Sequence, residues 1–253
     1  MTPRPAGLAR VVAGPALPPG EIRARAGRVY RRVLESSPVL DGGNFTRISV
    51  GDLERLFQAY EEAFFRGTLT PALGGRPELR LSSRMTRAGG KTYVFPPRGP
   101  GDARSYRVAV STPLLFANFE GGSGATVNGR ACRDRLEALQ RIFEHELVHL
   151  VELGLTGKSS CRKGEFLRLA STLFGHTEVA HRLDTPAVRA RREKGLAVGD
   201  RVAFSFRGLR QVGRVNRITR RATVLVEDPG GEPYSDGKRY LKYYVPLGQI
   251  EKP

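Results

Sequence analysis

An α+β fold in two parts is what the sequence predicts, and three observations carry the prediction. Apolar residues recur at helical spacing over Leu53, Leu56, Phe57, Tyr60 and Phe64, and again over Leu136, Leu139, Ile142, Phe143, Leu147, Leu150 and Val151. Between these stripes lie three short β-rich runs, at residues 78–82, 91–95 and 106–111, separated by Gly and Pro. From Leu196 onward the helical period gives way to four strand-like runs spaced about ten residues apart, the rhythm of a small β-barrel of SH3-like or KOW-like type.

Residues 1–45 mix Pro, Gly, Ala and Arg and read as a basic, partly disordered N-terminal arm with a short helix over residues 21–34. They lack a compact apolar stretch with a cleavage site, which argues against a secretory leader. Residues 46–185 read as the first domain. Its opening helix starts at Ser49, holds Asp52 in its first turn and stops at Gly67. The three β-rich runs then form a small antiparallel sheet. Pro113 suits the first position of a short helix over residues 112–116. The glycines that follow, at 121, 122 and 124, resemble a phosphate loop only in composition, since no G-K-[ST] closes them. A long helix is expected from about residue 133 to 153, ending at Gly154, with an apolar stripe wide enough for burial on more than one side. A shorter helix over residues 164–174 turns Phe166, Leu169, Ala170 and Leu173 inward. Residues 186–194 read as a charged connector, and residues 196–253 as a basic barrel with strands at 200–206, 211–218, 221–227 and 238–246.

Charge is the unusual bulk property. Lys and Arg number 42 against 25 acidic residues, a formal net charge of +17 in a chain of 253 residues. Such a balance favours polyanionic partners by steering and counterion release. Residues 187–253 alone hold fifteen Lys/Arg against seven Asp/Glu, with Tyr234, Tyr240, Tyr243 and Tyr244 among them. Basic side chains interleaved with aromatic ones suit a single-stranded or distorted nucleic acid. The expected contacts are Arg214, Arg217, Arg220, Arg221, Lys238, Arg239 and Lys242. A barrel with half-core tyrosines and merely solvated arginines would carry the same composition. Two cysteines, Cys132 and Cys161, make no disulfide framework, so a reducing, cytoplasmic or nucleoid-associated setting is expected. No apolar run approaches the roughly 18 residues of a membrane span.

The chemistry concentrates in His145-Glu-Leu-Val-His149, an H-E-x-x-H pattern inside the long helix. Helical residues four apart share a face, so both imidazoles can reach one point, and that point suits a single zinc ion. Glu146 projects about 100° around the helix from His145, placed to take a proton from a water on the metal without being a ligand. All four histidines, His145, His149, His176 and His181, fall in this part of the chain.

Four stretches in sequence order carry a resemblance: Tyr60-Glu-Glu-Ala-Phe-Phe-Arg-Gly-Thr-Leu69, Ser83-Arg-Met-Thr-Arg-Ala-Gly89, Val108-Ala-Val-Ser-Thr-Pro-Leu-Leu115 and His145-Glu-Leu-Val-His149. Together they resemble the SprT-like (Spartan-type) zinc metalloproteases over about residues 50–180. The resemblance implies a zincin-like domain, one zinc ion, Glu146 as general base, and protein substrates at or near nucleic acid, DNA ahead of RNA. Family members usually close the zinc site with a histidine in an H-G-x-x-F sequence. The matching stretch here, Ser159-Ser-Cys-Arg-Lys-Gly-Glu-Phe166, has none. Cys161 stands nearest that position, His176 is the alternative third ligand, and Glu165 is the last. A thiolate ligand would make the zinc less Lewis-acidic, so a slow or gated peptidase is expected. Many relatives end in a zinc ribbon, for which this chain lacks the cysteines. The second reading is a non-proteolytic protein with a closed, structural zinc site, binding nucleic acid or the ribosome.

Overall fold

The computed structural model describes residues 6–97, 99, 101–119, 125–219 and 221–252, without the side chains of His181 and Arg182. The chain divides into two compact units, Met1–Leu183 and Asp184–Pro253. Both mix helix and sheet, and among the described residues no helix is long and apolar enough to cross a membrane.

In the first unit, α1 (Ala6–Ala13) and α2 (Pro19–Ser36) precede α3 (Val50–Ala63) and the short α4 (Leu69–Leu73). Of the partly disordered arm expected over residues 1–45, the short helix over 21–34 is present as α2, and residues 6–13 add a helix that was not expected. Leu8, Val12, Val29 and Val33 are buried in the same core as α3. The reason is visible in α2: Pro19 occupies the first turn, where a missing N–H costs nothing, and Ile22, Ala26, Val29 and Val33 then fall on one face. Helix α3 starts at Ser49 as expected, with a capping box in which Asp52 Oδ2 accepts from the Ser49 N–H at 2.8 Å.

Strands β1 (Glu78–Ser82), β2 (Gly90–Phe95) and β3 (Ser105–Ser111) form a sheet in the order β1-β3-β2. The expected antiparallel sheet is a mixed one, because β3 pairs antiparallel with β2 but parallel with β1. β3 is the most apolar of the three, with Val108 and Val110 fully buried, so it takes the centre and leaves β2 an edge. After α5 (Thr112–Ala117), strands β4 (Ala125–Val127) and β5 (Arg130–Cys132) form a hairpin that β6 (His181–Arg182) joins. The glycine-rich stretch 121–124 lies outside the described residues.

Helix α6 (Arg135–Thr156) is the axis of this unit, followed by α7 (Gly164–Phe174). Asp134 caps its first turn by accepting from Glu137 N–H at 2.8 Å. It does not stop at Gly154. A Cβ there would lie 3.3 Å from Ala72 and 3.4 Å from Leu8, so Gly154 lets α1 and α4 approach the helix. Gly157, at φ 70°, is the true terminus.

Because α6 is buried nearly all round, its polar residues need internal partners. Glu144, wholly buried, accepts from Arg141 at 2.7 and 2.9 Å, from Tyr60 of α3 at 2.7 Å and from His176 Nε2 at 2.7 Å. Burial alone would raise its pKa, but the Arg141 charge and the His176 bond hold it down to about 2. Gln140 donates to Ala26 O at 3.0 Å, tying α2 to the same helix.

The second unit begins with α8 (Pro186–Lys194), capped by Thr185. The predicted connector is thus a helix of this unit, with Ala190 buried in its core. Strands β7 (Arg201–Phe206), β8 (Leu209–Ile218), β9 (Arg221–Pro233) and β10 (Arg239–Pro246) form an antiparallel meander in the order β10-β9-β8-β7. A bridge between Ala203 and Glu251 curls the chain end back onto β7, half closing the sheet. Val202, Phe204, Val215, Val224 and Val245 fill its core.

Replacing Glu144 by Gln should cost about 3–5 kcal/mol of unfolding free energy, because Arg141 is left charged and buried without a counter-ion. The exposed Glu165–Arg168 pair is the contrast: Glu165→Gln should leave the denaturation midpoint unchanged. Chemical denaturation of both variants makes the comparison.

Candidate metal centre

The second half of α6 brings His145 and His149 one turn apart, their ring centroids separated by 5.0 Å. Phe166 of α7 packs on both, at 4.8 and 4.6 Å, so the two imidazoles stand against a fixed apolar wall. The turn between α6 and α7 carries Cys161 back to them. One ligand atom from each of His145, His149 and Cys161 lies within 4.8 Å of the other two. Among the described residues these three form the group able to hold a metal ion.

The same turn orients His149. Its Nδ1 lies 2.6 Å from Ser159 Oγ, and the Ser159 hydroxyl donates to Glu152 Oε2. A hydroxyl has one proton; once Ser159 gives it to the Glu152 carboxylate, it must accept from Nδ1–H, and Nε2 keeps its lone pair. Burial also pushes the His149 pKa down to about 4, keeping the ring neutral at pH 7.

Glu146 lies beside these donors, against β2. Thr92 Oγ1 donates to its Oε2 at 2.7 Å. Gly90 makes the approach feasible: a Cβ there would sit 2.6 Å from Oε1 and 2.8 Å from Cγ. Burial pushes the Glu146 pKa up to about 7, with the Thr92 bonds opposing the rise. The resulting cleft, about 450 Å³, opens between α6 and β2 and includes Arg87, Lys91, Thr92, Glu146 and Cys161 in its lining.

The other candidates lie elsewhere. His176 Nε2 is committed to Glu144, on the buried side of α6 away from this cleft. Since an ionised carboxylate has no proton to give, Nε2 is the donor, and it is not free to bind a metal. Glu165 is exposed and paired with Arg168. Cys132 is buried, its thiol pKa pushed up to about 12 by desolvation.

Of the basic residues expected to contact nucleic acid, Arg214, Arg217, Arg221, Arg239 and Lys242 are exposed on the strands of the second unit, and Lys238 is exposed in the turn before β10. Lys238 and Lys242 are engaged by Glu227 and Glu232. Arg220 lies outside the described residues. Tyr243 is partly buried, packing on Phe204 and Phe206 against the core, whereas Tyr244 is open to solvent.

Thr92, Gly90, Ser159 and Glu152 carry no signature in the sequence. Each acts through contacts that only the fold creates, and Thr92 reaches Glu146 across more than fifty positions. Comparison with protein-family models, with curated proteins and with solved structures yields no match.

Gly90→Ala should destabilise the first unit by about 1–3 kcal/mol, because the added methyl overlaps a buried, hydrogen-bonded side chain. Thermal or denaturant unfolding reads this out, and a neutral result would mean that Glu146 has a second accessible rotamer.

Proposed function

We propose that the chain is a zinc-dependent peptidase of SprT-like type, with His145, His149 and Cys161 holding the metal and Glu146 acting as general base. The observation that carries this reading is the convergence of two imidazoles and a thiol beside a buried carboxylate at an open cleft. The donor set fits the ion: nitrogen and thiolate sulfur are zinc's preferred ligands, and three of them leave a coordination position open. Zinc bound there supplies a Lewis acid that activates water and polarises a peptide carbonyl.

The protein's own groups do the rest. Oε2 of Glu146 is held by Thr92, so Oε1 is the atom that takes the proton and later returns it to the leaving amine. Burial, which raises the pKa of this carboxyl, strengthens it as a base. The Glu152–Ser159 pair holds His149 in the tautomer a metal needs. Strand β2, an edge beside the cleft, offers backbone groups along which an extended peptide can align. In fold terms the reading makes the first unit a zincin-like domain and the second an SH3-like barrel. Substrates at or near nucleic acid follow from the family resemblance and agree with the net charge of +17.

The non-proteolytic alternative requires a closed site with four protein ligands. Engagement of His176 by Glu144 weighs against it, because His176 is one of the two histidines, with His181, that could serve as the fourth ligand.

Glu146→Gln should retain zinc and lose about 10²–10⁴-fold in cleavage of an unstructured protein such as casein. Undiminished cleavage by that variant would falsify the assignment of the base. Metal analysis separates the third-ligand candidates: Cys161→Ala should lower zinc content, while His176→Ala keeps zinc and loses stability. Ser159→Ala is expected to weaken zinc binding by about 10–100-fold, read by competition with a chromogenic chelator.

A further inference from the structure

The sheet of the second unit has two faces, and its register assigns each side chain to one of them. Val202, Phe204, Val215, Val224 and Val245 turn to the core. Arg201, Arg214, Leu225 and Lys242 are successive partners across β7, β8, β9 and β10, so they share the opposite face. Arg217 and Tyr244 are both partners of Thr223 and belong to that face too.

Arg217 is there because of an irregularity. In an unbroken strand, residues three apart point to opposite sides. The register shift between Val215 and Arg217 inserts Asn216 as an extra residue in β8, and Arg217 comes round to the side of Arg214. The three arginines are exposed, and Tyr244 is 64% exposed. Among the described residues no ion pair is made by Arg201, Arg214 or Arg217. The neighbouring acids Asp200, Glu227 and Glu232 are engaged by Lys252, Lys238 and Lys242. The face therefore presents unneutralised guanidinium groups on β7 and β8 and an open aromatic ring on β10.

We propose that this face binds a single-stranded nucleic acid, with Tyr244 stacking on a base and Arg201, Arg214 and Arg217 contacting phosphates. Arginines alone would suit any polyanion. The exposed ring makes the difference, since it needs an accessible base face, which a single strand offers and a duplex or a lipid headgroup does not. The inference is independent of the peptidase reading, because every residue in it belongs to the second unit.

Fluorescence anisotropy on the full chain tests it, with labelled oligothymidylate and oligouridylate, a duplex of equal length, and vesicles of phosphatidylserine and phosphatidylcholine. Both single strands should bind more tightly than duplex or vesicles. Changing Arg201, Arg214 and Arg217 together to Gln should weaken binding at least about tenfold and reduce the slope of log affinity against log salt by about 2. Tyr244→Ala should cost about tenfold while Tyr244→Phe binds normally. Arg168→Gln, in the first unit, controls for net charge and should bind as the wild type. Wild-type affinity in the triple variant overturns the proposal. So does duplex or vesicle binding as tight as single-strand binding together with a silent Tyr244→Ala, which would indicate a general polyanion surface.

Discussion

A carboxylate that is wholly buried stays ionised only if charge and hydrogen bonds are brought to it, and Glu144 sets that requirement for the first unit. Arg141 brings the charge, one turn earlier on the same helix. Tyr60 brings a hydroxyl from α3, and His176 a ring N–H from beyond α7. Each donor comes from a different part of the chain, so satisfying one side chain fixes α3, α6 and the end of α7 relative to one another. Gln140, a turn before Glu144, extends the same fastening to α2. The apolar core packs around this arrangement: Tyr60, Phe64, Phe65 and Phe174 form a contiguous aromatic cluster against α6.

Two residues further along, the same helix solves the opposite problem. Glu144 and Glu146 are about 200° apart around α6 and therefore face different surroundings. Against Arg141 and His176 a carboxyl is held down near 2; against β2, with only hydroxyl and amide donors, it rises to about 7. A single rigid helix thus carries one permanently charged structural acid and one poised to exchange protons, and the environment divides the roles. Anchoring by the first gives the second a fixed position, which the role of proton acceptor proposed for Glu146 requires.

Much of this was legible in the sequence. H-E-x-x-H periodicity located His145, Glu146 and His149, and the helical stripes located α3, α6 and α7. Local signals also placed the start of α3 at Ser49 and the four strands of the second unit. What escaped were features decided by long-range packing. Gly154 looks like a helix stop because glycine commonly is one, and only the neighbouring α1 and α4 explain why it is not. The mixture of Pro, Gly, Ala and Arg before residue 45 suggested partial disorder around one short helix, yet apolar residues of both α1 and α2 join the core. The central place of β3 depends on which strand is most apolar, a comparison that alternation within each strand does not make. Asn216 has nothing in its identity to announce a bulge, so the side on which Arg217 emerges could not be read from spacing.

The connection at residues 157–163 does unusual duty for its length. It carries Cys161 to the two imidazoles and Ser159 to the Nδ1 of His149, while Gly157 ends α6 and Lys163 begins α7. Surface connections ordinarily accept extra residues at little thermodynamic cost. This one has no slack, because lengthening it would move thiol and hydroxyl together while the imidazoles stayed on the helix. In descendants of this sequence, insertions should therefore accumulate in the loops on either side of β2 long before they appear between α6 and α7.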